Sequence, residues 1–207
     1  MDGKDVLVNS EAVLLPTLSA YLRKKLVREA PSAQRTAFHA LRPPPISVED
    51  YLKRILKYNA TCSQANFVAA VVYMERSGVP ITVYTVHRLL ISAVLISNKF
   101  YEDRFYNNKF FAKMGGLLLE ELNFLEREML ELLKYNLLIS EQQFEFQQAE
   151  IMATILCSDA PDAADGRRAL LEAGVDVVEL VRLRNRLHTC IEGEQADLGA
   201  MLVQCAQ

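Results

Sequence analysis

Residues 86–140 read VHRLLISAVLISNKFYEDRFYNNKFFAKMGGLLLEELNFLEREMLELLKYNLLIS, and the order of apolar and polar residues in this stretch decides the fold. Its first part carries Leu89, Leu90, Ile91, Ala93, Val94, Leu95 and Ile96. A helix this apolar on every side belongs at the centre of a domain. Thr82 is the expected cap of that helix. A polar loop follows over 101–108, then a short helix over 109–114, which the Gly115-Gly116 pair stops with a tight turn. The next helix is expected from Leu118 to Tyr135. Ser140 is placed to cap another, carrying Phe144 and Ile151.

Upstream, Ser47 caps a helix with the stripe Tyr51, Leu52, Ile55 and Leu56. After a short turn at 59–62, Ser63 caps a second helix with Phe67, Ala70, Val71 and Met74. Gly78 and Pro80 end it. Further out, Leu14, Leu15, Leu18, Leu22 and Leu26 recur at helical spacing within 11–29, where Pro16 suits a first turn. Pro43-Pro44-Pro45 closes an extended connector over 31–45. Beyond 153, a loop over 158–166 precedes one expected helix over 167–189. Its Arg182, Arg184, Arg186 and His188 read either as a binding patch or as a solvated basic end favoured by the helix dipole, the second being the expectation. No stretch alternates with a period of two, so the chain is expected to be all-α. Five or six helices would surround the buried central one, with flanking helices at each end. The expected division is 1–45, 46–153 and 154–207.

Composition narrows the function. The chain has 207 residues, 51% hydrophobic, with a net charge of −3. That is too apolar for wholesale disorder and lacks the basic surplus of a nucleic-acid binder. The four cysteines, Cys62, Cys157, Cys190 and Cys205, form no CxxC pair, which favours reduced thiols in a cytoplasmic or nuclear protein. No signal peptide or membrane-spanning run is expected. Phosphate-binding glycine loops, HExxH and nucleophile elbows are absent from the sequence. His39, His87 and His188 lie far apart and read as structural. No catalytic residue, metal site or cofactor is therefore expected.

Two charges break the apolar pattern. Taking Leu122 as origin and turning about 100° per residue, Leu118, Leu125, Met129 and Leu133 fall within roughly 60° of it. Glu126 lands about 40° away, inside that stripe. A carboxylate there needs a partner or an edge position that reaches water. Lys99 closes the central helix, where a lysine either serves the helix end with its stem along apolar surface or meets a partner.

The stretch quoted above closely resembles the cyclin box, in particular that of the phosphate-pathway, P/U-type cyclins of fungi, plants and protists. The likeness rests on His87-Arg88, on NKFFAKMGG (108–116) and on ELNFLE (121–126), with SVEDYLKRILKY (47–58) similar to the first helix of the box. It covers about half of the chain, in order. It implies a regulatory subunit that binds and activates a cyclin-dependent protein kinase and is not itself an enzyme. Lys99 and Glu126 match the pair that grips the kinase's regulatory helix. Phe100, Leu130, Tyr135 and Leu137 match apolar positions of the same surface. Arg54 and Glu75 match an internal ion pair between the first two helices of the box. On this resemblance both tips of Lys99 and Glu126 are expected to be open in the isolated chain. The sequence departs from the family at Glu102-Asp103-Arg104 and at Leu117-Leu118, and it shows no second repeat of the box. Two other readings of the fold are an adaptor that activates nothing and a nucleic-acid-binding relative.

Overall fold

A helix apolar on all sides has to be enclosed, and the central helix of the computed structural model is enclosed. The structure describes residues 10–27, 35–58 and 63–205. Nine α-helices and no strand occur among the described residues: α1 (Glu11–Lys25), α2 (Val48–Tyr58), α3 (Gln64–Arg76), α4 (Val86–Tyr101), α5 (Asn108–Gly115), α6 (Leu119–Leu132), α7 (Glu141–Leu156), α8 (Ala164–Glu172) and α9 (Val177–Cys205). Every residue of α4 from Leu89 to Asn98 is buried. Around α4 lie α3, α6, α5 and α2. One apolar core runs from Val13 of α1 to Leu180 of α9. None of the described helices is long and apolar enough to cross a membrane.

Helix starts follow local chemistry. Ser140 and Gln143 form a reciprocal capping box at α7, and the Asn107 side chain accepts from the Phe110 amide at α5. At α4 the expected cap shifts by one turn. Thr85, not Thr82, is the N-cap. Its hydroxyl accepts from the Thr82 amide at 2.9 Å and donates to the Pro80 carbonyl at 2.7 Å, so 82–85 forms a turn before the helix. At α1 the helix begins at Glu11, ahead of Pro16, because Ser10 O accepts from the amides of Val13 and Leu14. Leu118 stands outside α6 as its N-cap and is 71% exposed, so it is not part of the apolar stripe.

Three helix ends share one device. In each, the chain turns left-handed, and the amides of the first left-handed residue and the next reach back to carbonyls of the last turn. Gly116 (φ 71°) ends α5 in this way and Gly174 (φ 79°) ends α8. The end of α6 uses Lys134 (φ 51°) followed by Tyr135 (φ 57°), with Tyr135 N donating to Leu130 O at 2.9 Å. Gly174 also corrects the expected single helix over 167–189. It divides that stretch into α8 and α9, and α8 begins at Ala164, inside the expected loop.

The flanks are seated on the bundle. In α8, a Cβ on Gly166 would lie 3.1 Å from Pro16 O, Thr17 Cα and Ile155 Cγ2, so only a glycine lets α8 approach α1 and α7 this closely. On α9, Arg184 pairs with Glu150 of α7. His188 lies 5.6 Å from the Phe146 ring. These two members of the expected solvated basic end therefore anchor α9. The expected turn over 59–62 and part of the connector lie outside the described residues.

Candidate functional site

The site forms where α4 ends beside the middle of α6. Lys99 stands in the last turn of α4, immediately after the fully buried segment. Its ammonium donates to Glu126 Oε1 at 2.6 Å. Asn108, the first residue of α5, donates to Glu126 Oε2 at 2.7 Å, and its side-chain nitrogen also lies 2.7 Å from Asn123 Oδ1. Both carboxylate oxygens are thus engaged, which explains how Glu126 is accommodated within the apolar stripe. The Glu126 side chain is 15% exposed and that of Lys99 31%.

This corrects the expectation of two open tips. The charges face each other across adjacent helices at contact distance, and an opposite charge so close satisfies each better than partial hydration would. Asn108 and Asn123 had no role in the sequence reading. Their signal was the Asn that opens NKFFAKMGG (108–116) and the Asn within ELNFLE (121–126).

The four expected apolar positions lie on the segments that carry or follow the pair. Phe100 is 46% exposed, and its ring meets Tyr101 edge-on at 4.9 Å. Leu130 lies one turn after Glu126 on the same face of α6, half-buried. Tyr135 follows the helix end and is 65% exposed, and Leu137 is half-buried. The segment 133–140 is fixed from two sides. Leu137 O accepts from the hydroxyls of Tyr73 (2.6 Å) and Tyr101 (3.2 Å), while Ile139 N donates to Tyr101 at 3.1 Å. Arg76 donates to the carbonyls of Asn136 and Leu138 and to Gln143 Oε1. Burial drives the Tyr73 hydroxyl pKa upward, so that phenol stays a hydrogen-bond donor.

Arg54 and Glu75 do not form the expected ion pair. Arg54 donates to Lys113 O, a carbonyl in the last turn of α5, at 3.1 Å. Glu75 instead accepts from the Tyr21 hydroxyl at 2.7 Å and lies 3.1 Å from Lys25 Nζ. The cause is α1, whose second half carries Tyr21 and Lys25 to Glu75. At the departure from the family, Glu102 caps α3 from outside: its Oε1 accepts from Ser63 N at 3.0 Å and from the Asn66 amide group at 2.5 Å. Among the described residues, no three potential ligands cluster as a metal site would require.

The site is a charged pair beside exposed aromatic side chains in an all-helical bundle. Comparison with known proteins gives its family. The cyclin family model matches residues 13–137, more than half of the chain, and the chain belongs to the cyclin family. It is 42% identical over 123 residues to Cyclin-U4-1 of Arabidopsis thaliana, covering 56% of this chain and 60% of that protein. To Cyclin-U1-1 of Arabidopsis thaliana it is 37% identical over 145 residues (64% of this chain, 69% of the relative). To Cyclin-P4-1 of Oryza sativa subsp. japonica the figures are 34% over 139 residues, 65% of each. The P/U-type resemblance is thereby shown. The matched stretches span about three fifths to seven tenths of these relatives.

Proposed function

We propose that the chain is a regulatory subunit that binds and activates a cyclin-dependent serine/threonine kinase, with no catalysis of its own. The observation that carries this reading is the Lys99–Glu126 pair at the α4–α6 junction, with the exposed Phe100 following Lys99. A kinase is active only when its regulatory helix holds a glutamate against the nucleotide-binding lysine. A subunit that binds this arrangement better than the inactive one shifts the population toward it.

In this reading the internal pair is exchanged on docking. Lys99 turns to carbonyls and Glu126 to amides of the kinase helix, while Phe100, Leu130, Tyr135 and Leu137 provide the apolar contact. Because each charge leaves one partner for another, the pair contributes direction more than raw affinity. The same reading places the protein in the cytoplasm or nucleus.

The test is a reconstitution. The purified chain, mixed with a cyclin-dependent kinase, should raise phosphotransfer to a peptide substrate well above that of the kinase alone. ATP turnover by the chain without any kinase, or failure to bind any member of that kinase class, would refute the proposal.

A further inference from the structure

The two carboxylate oxygens of Glu126 are held by partners of unlike kind. Oε1 takes the Lys99 ammonium at 2.6 Å, and Oε2 takes the Asn108 side-chain amide at 2.7 Å. Lys99 reaches its oxygen on a flexible four-carbon stem from the last turn of α4. Asn108 reaches on a short stem from the first residue of α5, a helix fixed at both ends. At its start the Asn107 side chain accepts from Phe110 N at 3.0 Å. At its end Lys113 O and Gly115 O accept from Arg54 and Tyr51 of α2. Between them Phe111 is fully buried, and Phe110 stacks on Tyr106 with ring centroids 4.0 Å apart.

The Asn108 amide has no freedom of direction either. A primary amide carries two N–H donors. Asn108 directs its nitrogen at two acceptors, Glu126 Oε2 and Asn123 Oδ1, each at 2.7 Å. Turning the group over would set its oxygen against both, so one orientation alone is satisfied. Asn123 thereby orients Asn108, and Asn108 holds the carboxylate.

We infer, on the kinase reading given above, that Asn108 is a positioning residue of the docking site: it retains Glu126 Oε2 when Lys99 leaves, so that Oε1 alone is offered to the kinase helix. A carboxylate within an apolar stripe cannot lose every partner at once without a large penalty. With Asn108 in place, the exchange at Glu126 is a replacement at one oxygen, ammonium for amide. The side chain keeps its direction, and its rotamer freedom is already given up before the partner arrives. Without Asn108 the Lys99 ammonium alone holds the carboxylate, and opening that pair leaves both oxygens bare.

The test is a binding titration of the full chain against a purified cyclin-dependent kinase, beside a thermal melt of each variant. Asn108→Ala should lose about tenfold in affinity, the effect of one hydrogen bond to a charged group. Its melting temperature should fall by no more than about 4 °C. In a Glu126→Ala background the same change should have no further effect on affinity, because no carboxylate is left to position. A role confined to the folding of α5 would instead weaken binding in both backgrounds. Asn108→Asp sets a second carboxylate against Glu126 and should lose more than the alanine variant. Wild-type affinity in Asn108→Ala, or an equal loss with and without Glu126, overturns the inference and leaves the kinase reading standing. A wild-type chain that binds no cyclin-dependent kinase overturns both.

Discussion

Glu75 and Glu126 are alike in chemistry and differ in surroundings. Each accepts from a lysine and from a neutral donor: Lys25 and the Tyr21 hydroxyl for Glu75, Lys99 and Asn108 for Glu126. Glu75 draws its partners from α1, and Gln147 of α7 donates to the same Tyr21 oxygen at 3.3 Å, so α1, α3 and α7 meet in one network. Burial and the nearby carboxylate drive the Tyr21 pKa upward, keeping its proton in place. Glu126 joins α4, α5 and α6, which are consecutive in the chain, and its lysine stands beside exposed rings. The first carboxylate ties together distant segments, and exchanging its partners would separate helices. The second can change partners while the helices around it stay in place. An ion pair becomes available for recognition through what surrounds it, not through its own strength.

The comparison is most exposed to the paired variant Lys99→Ala/Glu126→Ala. Kinase binding should fall by about tenfold to a hundredfold, since charge-assisted bonds of about 1.5–3 kcal/mol each are lost but one internal pair no longer has to open. The melt should show a loss of no more than about 1 kcal/mol, as for other partly exposed pairs. A collapse of stability with unchanged binding would reverse the roles assigned to the two sites.

Glu75→Ala should behave in the opposite sense. It leaves Tyr21, which is fully buried, with Gln147 alone, and should cost about 1–3 kcal/mol in chemical denaturation. Kinase affinity measured on the folded fraction should not change. If affinity falls as far as for the first variant, the two regions are coupled and the distinction between them fails.

A smaller effect is expected at the end of α6. Lys134 adopts the left-handed conformation that costs an L-residue about 1–2 kcal/mol, where the equivalent helix ends use Gly116 and Gly174. Lys134→Gly should therefore stabilise the chain, by about 0.5–1 kcal/mol once the greater freedom of glycine in the unfolded chain is counted. A destabilised variant would show that the Lys134 side chain makes a contribution of its own.

The smallest effect concerns His87, which packs edge-on to Tyr51 at 4.9 Å and donates through Nε2 to Ile46 O at 3.0 Å. Burial lowers its pKa below the usual histidine value. The unfolded chain takes up a proton as pH falls through about 6.5, while the folded chain does so only lower. His87 thus contributes its full stability above that pH, and the contribution is lost as pH falls toward the folded value. Melts of wild type and His87→Gln at about pH 7.5 and pH 5.5 should converge in acid. A constant difference between them would remove His87 as the cause.

Much of this organisation is legible in local sequence. The apolar run from Leu89 to Ile96, the Ser140 cap and the Gly116 stop each act within a few residues, and each appears where its chemistry requires. The position of Glu126 within an apolar stripe also marked it as unusual before any partner was known. What was not legible is who meets whom over long separations. Nothing near Glu75 announces Tyr21, 54 residues away, because that contact depends on where α1 docks. Arg54 was matched to a side chain and found a backbone carbonyl, since the end of α5 presents unpaired carbonyls to any donor within reach. Gly174 was overlooked because the hydrophobic spacing continues on both sides of it. The spacing does not register the change of direction.

The segment between α6 and α7 carries a further consequence, one of time rather than place. Connections between helices ordinarily exchange their amide protons quickly, being among the first parts of a protein to open. Here Tyr73, Arg76 and Tyr101 reach the stretch from Asn136 to Ile139 from two different helices. For Ile139 N–H to exchange, the Tyr101 hydroxyl must let go, and that hydroxyl is also bound to Leu137 O. Its proton should therefore be retained on the slow timescale of the bundle itself. A stretch without helical hydrogen bonds would then keep the tempo of the core, and the surface built on it would hold its shape before any partner arrives.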